Sequence, residues 1–141
     1  MIEIESRELA DIPVLHAYPV GQKDTPLPCV IFYHGFTSSS LVYSYFAVAL
    51  AQAGLRVIMP DAPDHGSRFS SDEARRLNQF WQILLQSMQE FTTLRAAIAE
   101  ENWLLDDRLA VGGASMGAMT ALGITARHPT VKCTASMMGS G

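Results

Sequence analysis

The sequence predicts an α/β domain of three layers, α/β/α, with helices on both faces of a mostly parallel sheet. Three observations lead to this: continuous apolar runs of strand length, amphipathic stretches of helical period between them, and small-residue turns where the runs end. At 141 residues the chain has the length of one ordinary domain, and residues 1–141 are expected to form a single core. Hydrophobic residues make up 48% and charged residues 17%, below the roughly 25% usual for soluble domains, so much of the sequence must be interior.

The elements follow in order. Ile2 and Ile4, then Ile12, Val14, His16 and Tyr18, alternate with other residues and predict two opening strands, antiparallel and peripheral, each with one covered face. A polar turn runs from Gly21 to Pro28. From Cys29 the pattern becomes continuous: Val30-Ile31-Phe32-Tyr33, then Leu55-Arg56-Val57-Ile58-Met59, as expected of parallel strands buried on both faces. Leu109-Ala110-Val111 and Val131-Lys132-Cys133-Thr134-Ala135 extend the series to about six strands. A first helix is predicted from about Ser40 to Ala53, with Gly54 at a left-handed C-terminal position. A second opens at Ser70, where Ser70-Ser71-Asp72-Glu73 has the form of a capping box, and its stripe of Leu77, Trp81, Leu84, Met88, Phe91 and Ile98 reads as core. A third runs from Met116 to His128 and stops before Pro129, its small residues Gly117, Ala118, Ala121 and Gly123 permitting close approach to a sheet.

Ten Lys and Arg stand against fourteen Asp and Glu, a net charge of -4, with no basic cluster to form a nucleic-acid footprint. Nucleic acid is therefore not an expected partner. The acidic, alternating start lacks the pattern of a secretory signal, and no apolar run reaches membrane-spanning length, so a cytoplasmic protein without a membrane partner is expected. Cys29 and Cys133 lie far apart in neither disulfide-framework nor zinc spacing and read as reduced core residues.

In open parallel sheets ligands bind beyond the carboxyl ends of the strands. After Leu109-Ala110-Val111 comes Gly112-Gly113-Ala114-Ser115-Met116-Gly117-Ala118, a Gly-x-Ser-x-Gly between strand and helix. That setting pushes the Ser115 hydroxyl out above the sheet at a helix N-terminus, where free N–H groups favour developing negative charge. A plain glycine-rich turn is the simpler alternative. The rival dinucleotide fingerprint requires a glycine where Ala114 stands and a later acid, and no Asp or Glu follows Asp107. A phosphate-binding P-loop fails because Ala118 occupies the position of its lysine.

His34-Gly35-Phe36-Thr37 follows the run ending at Tyr33, where acyl transfer would need a second N–H donor; the Phe36 and Met116 N–H groups are the candidates. His34 reads as loop structure more than as a proton carrier. Pro60-Asp61-Ala62-Pro63-Asp64-His65-Gly66-Ser67-Arg68 is dense in charge, yet turn hydrogen bonding and an Arg68–carboxylate pair are preferred to an Asp–His acid and base. His128, roughly 20 Å along the helix from Ser115 at 1.5 Å per residue, is too distant to act there.

Together these three segments resemble, in order and spacing, the N-terminal part of the small bacterial carboxylesterases of the α/β-hydrolase superfamily. The resemblance spans essentially the whole chain and implies Ser115 as nucleophile and the backbone N–H groups of Phe36 and Met116 as oxyanion hole. It implies an acyl-enzyme intermediate, a small-molecule ester substrate, and neither cofactor nor metal. His34, Gly35, Tyr43 and His65 are candidates for contact with substrate. An acyltransferase, a peptidase or a non-catalytic α/β domain remain alternatives. The triad order Ser, acid, His cannot be completed within this sequence. A truncated chain, a partner supplying the missing residues, or loss of catalysis would each account for this; truncation after about the sixth strand is preferred. The strand at 131–137 would then be an unprotected edge through which copies could associate.

Overall fold

The computed structural model describes residues 1–137, with side chains described as far as 131. β1 (Ile2–Leu9) and β2 (Ile12–Pro19) form an antiparallel hairpin whose two turn residues, Ala10 and Asp11, both lie at positive φ, 51° and 66°. That geometry matches the right-handed twist of the flanking strands, although no glycine announces it. β3 (Leu27–Tyr33), β4 (Arg56–Pro60), β5 (Leu104–Ala114) and β6 (Lys132–Met137) complete a six-stranded sheet of order β1-β2-β4-β3-β5-β6. β2 joins β4 antiparallel, and β4, β3, β5 and β6 are mutually parallel along that order.

Helices connect the parallel strands and form the outer layers. α1 (Ser44–Gln52) lies on one face against Leu15, Ala17, Phe32, Val57, Met59 and Ala114. α3 (Phe80–Glu100) and α4 (Met116–Arg127) lie on the other, against Cys29, Ile31, Tyr33, Ile58, Leu109 and Val111. The three layers agree with the sequence prediction, as does Gly54 at φ 94° just past α1. Cys29 is a free, buried thiol whose pKa burial raises to about 12, and the Cys133 side chain lies outside the described residues.

Several expectations are corrected. β2 is buried on both faces, because β4 places it inside the sheet rather than at its edge. Its His16 is buried and stacks on Trp103; its Nε2 accepts from Arg56 Nη1 at 2.8 Å and its Nδ1 faces Glu5 Oε2 at 2.7 Å. Burial holds His16 at a pKa of about 4, so its ring is neutral. The fully buried Arg56 guanidinium also donates to the carbonyls of Thr25 at 2.6 Å and of Gln22 and Trp103 at 3.3 Å. This network ties together the amino ends of β3, β4 and β5, opposite the candidate site.

α1 starts at Ser44, after a series of turns, and the predicted capping box is absent. Asp72 caps α2 (Glu73–Asn78) by accepting from the Arg75 N–H, while Ser70 Oγ accepts from the Asp72 N–H. The helix then breaks at Gln79. That break rotates the apolar stripe, leaving Leu77 and Trp81 exposed at 61% and 62%, and the buried face of α3 begins at Ile83 and Leu84. α1 covers only part of its side of the sheet. Over Val30 and Ala110 a shallow apolar cavity of about 340 Å³ remains, also lined by Pro28, Cys29, Leu55, Arg108 and Leu109.

Candidate active site

The turn from β5 into α4 places one residue, Ser115, at φ 57° and ψ -118°, a conformation that a residue with a Cβ adopts only at a cost of about 1–3 kcal/mol. Its neighbours Gly113, Ala114, Met116, Gly117 and Ala118 are buried, while Ser115 is exposed. The flanking glycines have a steric cause. A Cβ on Gly113 would collide with the Gly117 carbonyl in the first turn of α4, and one on Gly117 with the Tyr33 carbonyl at the end of β3. The spacing Gly-x-Ser-x-Gly is therefore what lets α4 start against the sheet with the serine projecting from it.

The loop after β3 closes over this turn. A Cβ on Gly35 would stand 3.4 Å from both Ser115 Cβ and the Ala114 carbonyl, and 3.1 Å from the Tyr43 hydroxyl. Two of the loop's backbone donors are taken up within the loops. The Ser38 N–H donates to Gly35 O at 3.1 Å and the Thr37 N–H to His65 Nε2 at 2.8 Å. Among the described residues, the Phe36 and Met116 N–H groups have no acceptor. The Phe36 ring meets Phe80 edge-on at 5.0 Å and packs with Ala62, Ile83, Leu84 and Met116.

His34 and His65 brace this loop against the one after β4, each from the opposite side. His34 Nε2 accepts from the Ala62 N–H at 3.0 Å while its Nδ1–H donates to Gly35 O at 2.8 Å. His65 Nε2 accepts the Thr37 N–H, and its Nδ1–H donates to Pro63 O at 2.9 Å. An Nε2 facing an N–H must be an acceptor, which assigns the Nδ1–H tautomer to both rings. The rings are 5.2 Å apart and buried. Desolvation, reinforced by the neighbouring His65, lowers His34 to a pKa of about 4; desolvation lowers His65 as well. Both nitrogens of each ring are thus engaged with backbone, and Thr37 is held at φ 65°.

The remaining charged groups after β4 are also held by hydrogen bonds. Buried Asp61 accepts from the Ser40 N–H at 2.9 Å and from the Ser67 hydroxyl at 3.1 Å; Gly66, at φ 54°, leaves room for that carboxylate. His65 Nδ1 faces Pro63, not Asp61, so the Asp-x-x-x-His spacing forms no acid–base pair. Arg68 does pair with a carboxylate, bidentately at 2.9 Å and 2.9 Å, but the partner is Glu90 on α3, which no local spacing signalled. Among the described residues, no imidazole or carboxylate hydrogen-bonds Ser115, and no group of three His, Cys, Asp or Glu is placed to hold a metal. His128 caps the far end of α4 with its ring 5.0 Å from Phe91.

Residues 24–140 match the model of the Hydrolase_4 family, described as serine aminopeptidase, S33. The chain belongs to the Hydrolase_4 family. It is 98% identical over 141 residues to Esterase YjfP of Escherichia coli K12, an alignment covering all of this chain and 57% of that protein. YitV of Bacillus subtilis is 34% identical over 141 residues, covering 99% of this chain and 55% of that one. This Hydrolase_4 chain thus spans little more than half the length of these relatives. Its fold is of the α/β-hydrolase type: the crystal structure of dienelactone hydrolase from Anabaena variabilis superposes with a TM-score of 0.70 at 23% identity, covering 96% of this chain and 62% of that one. No helix among the described residues is long and apolar enough to cross a membrane.

Proposed function

We propose that this chain is the nucleophile- and oxyanion-bearing part of a serine esterase acting on small carboxylic esters. The observation that carries the proposal is Ser115, exposed and strained at the mouth of α4, beside two backbone donors, Phe36 and Met116 N–H, that have no other acceptor. Ser115 Oγ attacks the acyl carbon, and the carbonyl electron pair moves onto oxygen, where the two N–H groups hold it. The serine proton passes to an imidazole base supplied from beyond the described residues. The alcohol then departs, and water releases the acyl group from Ser115. His34 and His65 hold the loop from behind, since neither has a free nitrogen with which to take the proton. Gly35 and Tyr43 border the space in front of Ser115. No cofactor is needed for these steps.

The family's description as a serine aminopeptidase keeps amide hydrolysis as a second reading of the same Ser115 chemistry. The test is a fluorophosphonate probe on this chain, followed by mapping of the added mass. Slow attachment at Ser115, abolished in Ser115→Ala, is expected; attachment elsewhere overturns the assignment. The chain extended by the part of its Escherichia coli relative that it does not span should hydrolyse p-nitrophenyl acetate. Faster turnover of an aminoacyl-p-nitroanilide would favour the peptidase reading.

A further inference from the structure

Tyr43 stands just before α1, and its ring is wedged among Phe32, Phe46 and Tyr45 with centroids 6.1, 6.0 and 6.1 Å away. Its hydroxyl is carried over the loop after β3. The same point in space, the Cβ that Gly35 lacks, lies 3.1 Å from the Tyr43 hydroxyl and 3.4 Å from Ser115 Cβ. A side chain on Gly35 would press against both the phenol and the serine, so the glycine lets the two lie close to one another. Among the described residues the hydroxyl has no hydrogen-bond partner, whereas several backbone donors around it are taken up: Thr37 and Ala62 N–H by the two imidazoles, Ser40 N–H by Asp61. A fixed, unpaired O–H beside an attacking serine is a preorganised donor.

We infer that the Tyr43 hydroxyl is a third donor to the acyl oxygen, joining the Phe36 and Met116 N–H groups. This rests on the reading of Ser115 as nucleophile. As the Ser115 Oγ–carbon bond forms and the carbonyl pair moves onto oxygen, that oxygen gains capacity for a third hydrogen bond, and Tyr43 supplies it. The phenol keeps its proton throughout. When the tetrahedral intermediate collapses, the carbonyl re-forms, the bond to the alcohol breaks and the hydrogen bond weakens. Because the contact strengthens with negative charge, it acts on kcat more than on KM.

The test uses Tyr43→Phe in the chain extended as above, which removes one oxygen and leaves the aromatic cluster filled. The expected result is a fall in kcat of about 10- to 100-fold for p-nitrophenyl acetate with KM little changed, at or below the effect of losing a backbone-type oxyanion donor. A trifluoromethyl ketone, whose serine adduct bears the oxyanion, should lose affinity by a similar factor. Unchanged kcat overturns the inference, and so does a rise confined to KM, which would make Tyr43 only a wall of the pocket. The nucleophile reading is judged separately: if the fluorophosphonate misses Ser115 in the unaltered protein, that reading fails whatever Tyr43→Phe does.

Discussion

Ser115 combines two demands that conflict, the hydroxyl that the proposed chemistry needs and a backbone at φ 57°, ψ -118° that suits a residue without a side chain. Ser115→Gly should therefore unfold at higher urea than Ser115→Ala, by about 1 kcal/mol, since glycine relieves the strain and alanine retains it. Equal stability of the two variants would mean that the turn costs nothing. Gly117→Ala tests the opposite case. Its new methyl would meet the Tyr33 carbonyl, a backbone atom that cannot swing aside, and a loss of about 3 kcal/mol in chemical denaturation is expected. The sequence made the elbow legible because all five of its residues are contiguous. What Gly117 faces was not legible, since Tyr33 comes from a strand far upstream and only the fold brings it there.

Among the elements, the loops after β3 and β4 are joined by two neutral imidazoles, and protonating either ring at Nε2 would turn an acceptor into a donor aimed at an N–H. Both histidines have pKa values lowered in the folded state, His34 to about 4, and His16 behaves likewise. A depressed histidine pKa means that the unfolded chain binds the proton more readily. The stabilisation is fully present above the ordinary value of about 6.5 and is lost as pH falls towards 4. The charge of Asp61 acts on both loop rings, and those of Asp64 and Arg76 on His65; they modify this shift, whose first cause is burial. The thermal midpoint should fall between pH 6.5 and 4, with a shallower slope in His65→Gln, whose amide oxygen can still accept from Thr37. His65→Phe leaves that N–H without its partner and should cost about 1–3 kcal/mol. The chain's pattern suggested loop structure for His34, but reciprocal bracing depends on both loops at once and has no signature in either. The stripe predicted for the helix after β4 runs straight through Gln79, and its core part begins only at Leu84, past the exposed Trp81. Trp81→Gln should change stability by no more than about 0.5 kcal/mol, whereas Phe91→Ala should cost about 3–5.

At the scale of the whole molecule, layering and strand direction were legible because continuous apolar runs alternate with helical ones. Strand order was less so, since the choice of partner is not local: β2 was expected at the periphery and lies beside β4, with β1 outside it. β6 forms the other edge of the described sheet, paired on one side only, with β5. Such an edge presents unpaired N–H and C=O groups, so light scattering should show association that grows with concentration. A monodisperse monomer across the range would count against this.

The half-covered sheet face over Val30 and Ala110 bears on how the polypeptide could be divided. An apolar surface and an open strand edge on one side of a formed α/β layer are what a complementing fragment needs as a template. This chain, mixed with a separately made peptide of the part of its Escherichia coli relative that it does not span, should recover ester hydrolysis without a peptide bond between the two. Val30→Lys, planted in the cavity, should weaken that recovery while leaving fluorophosphonate attachment at Ser115 unchanged.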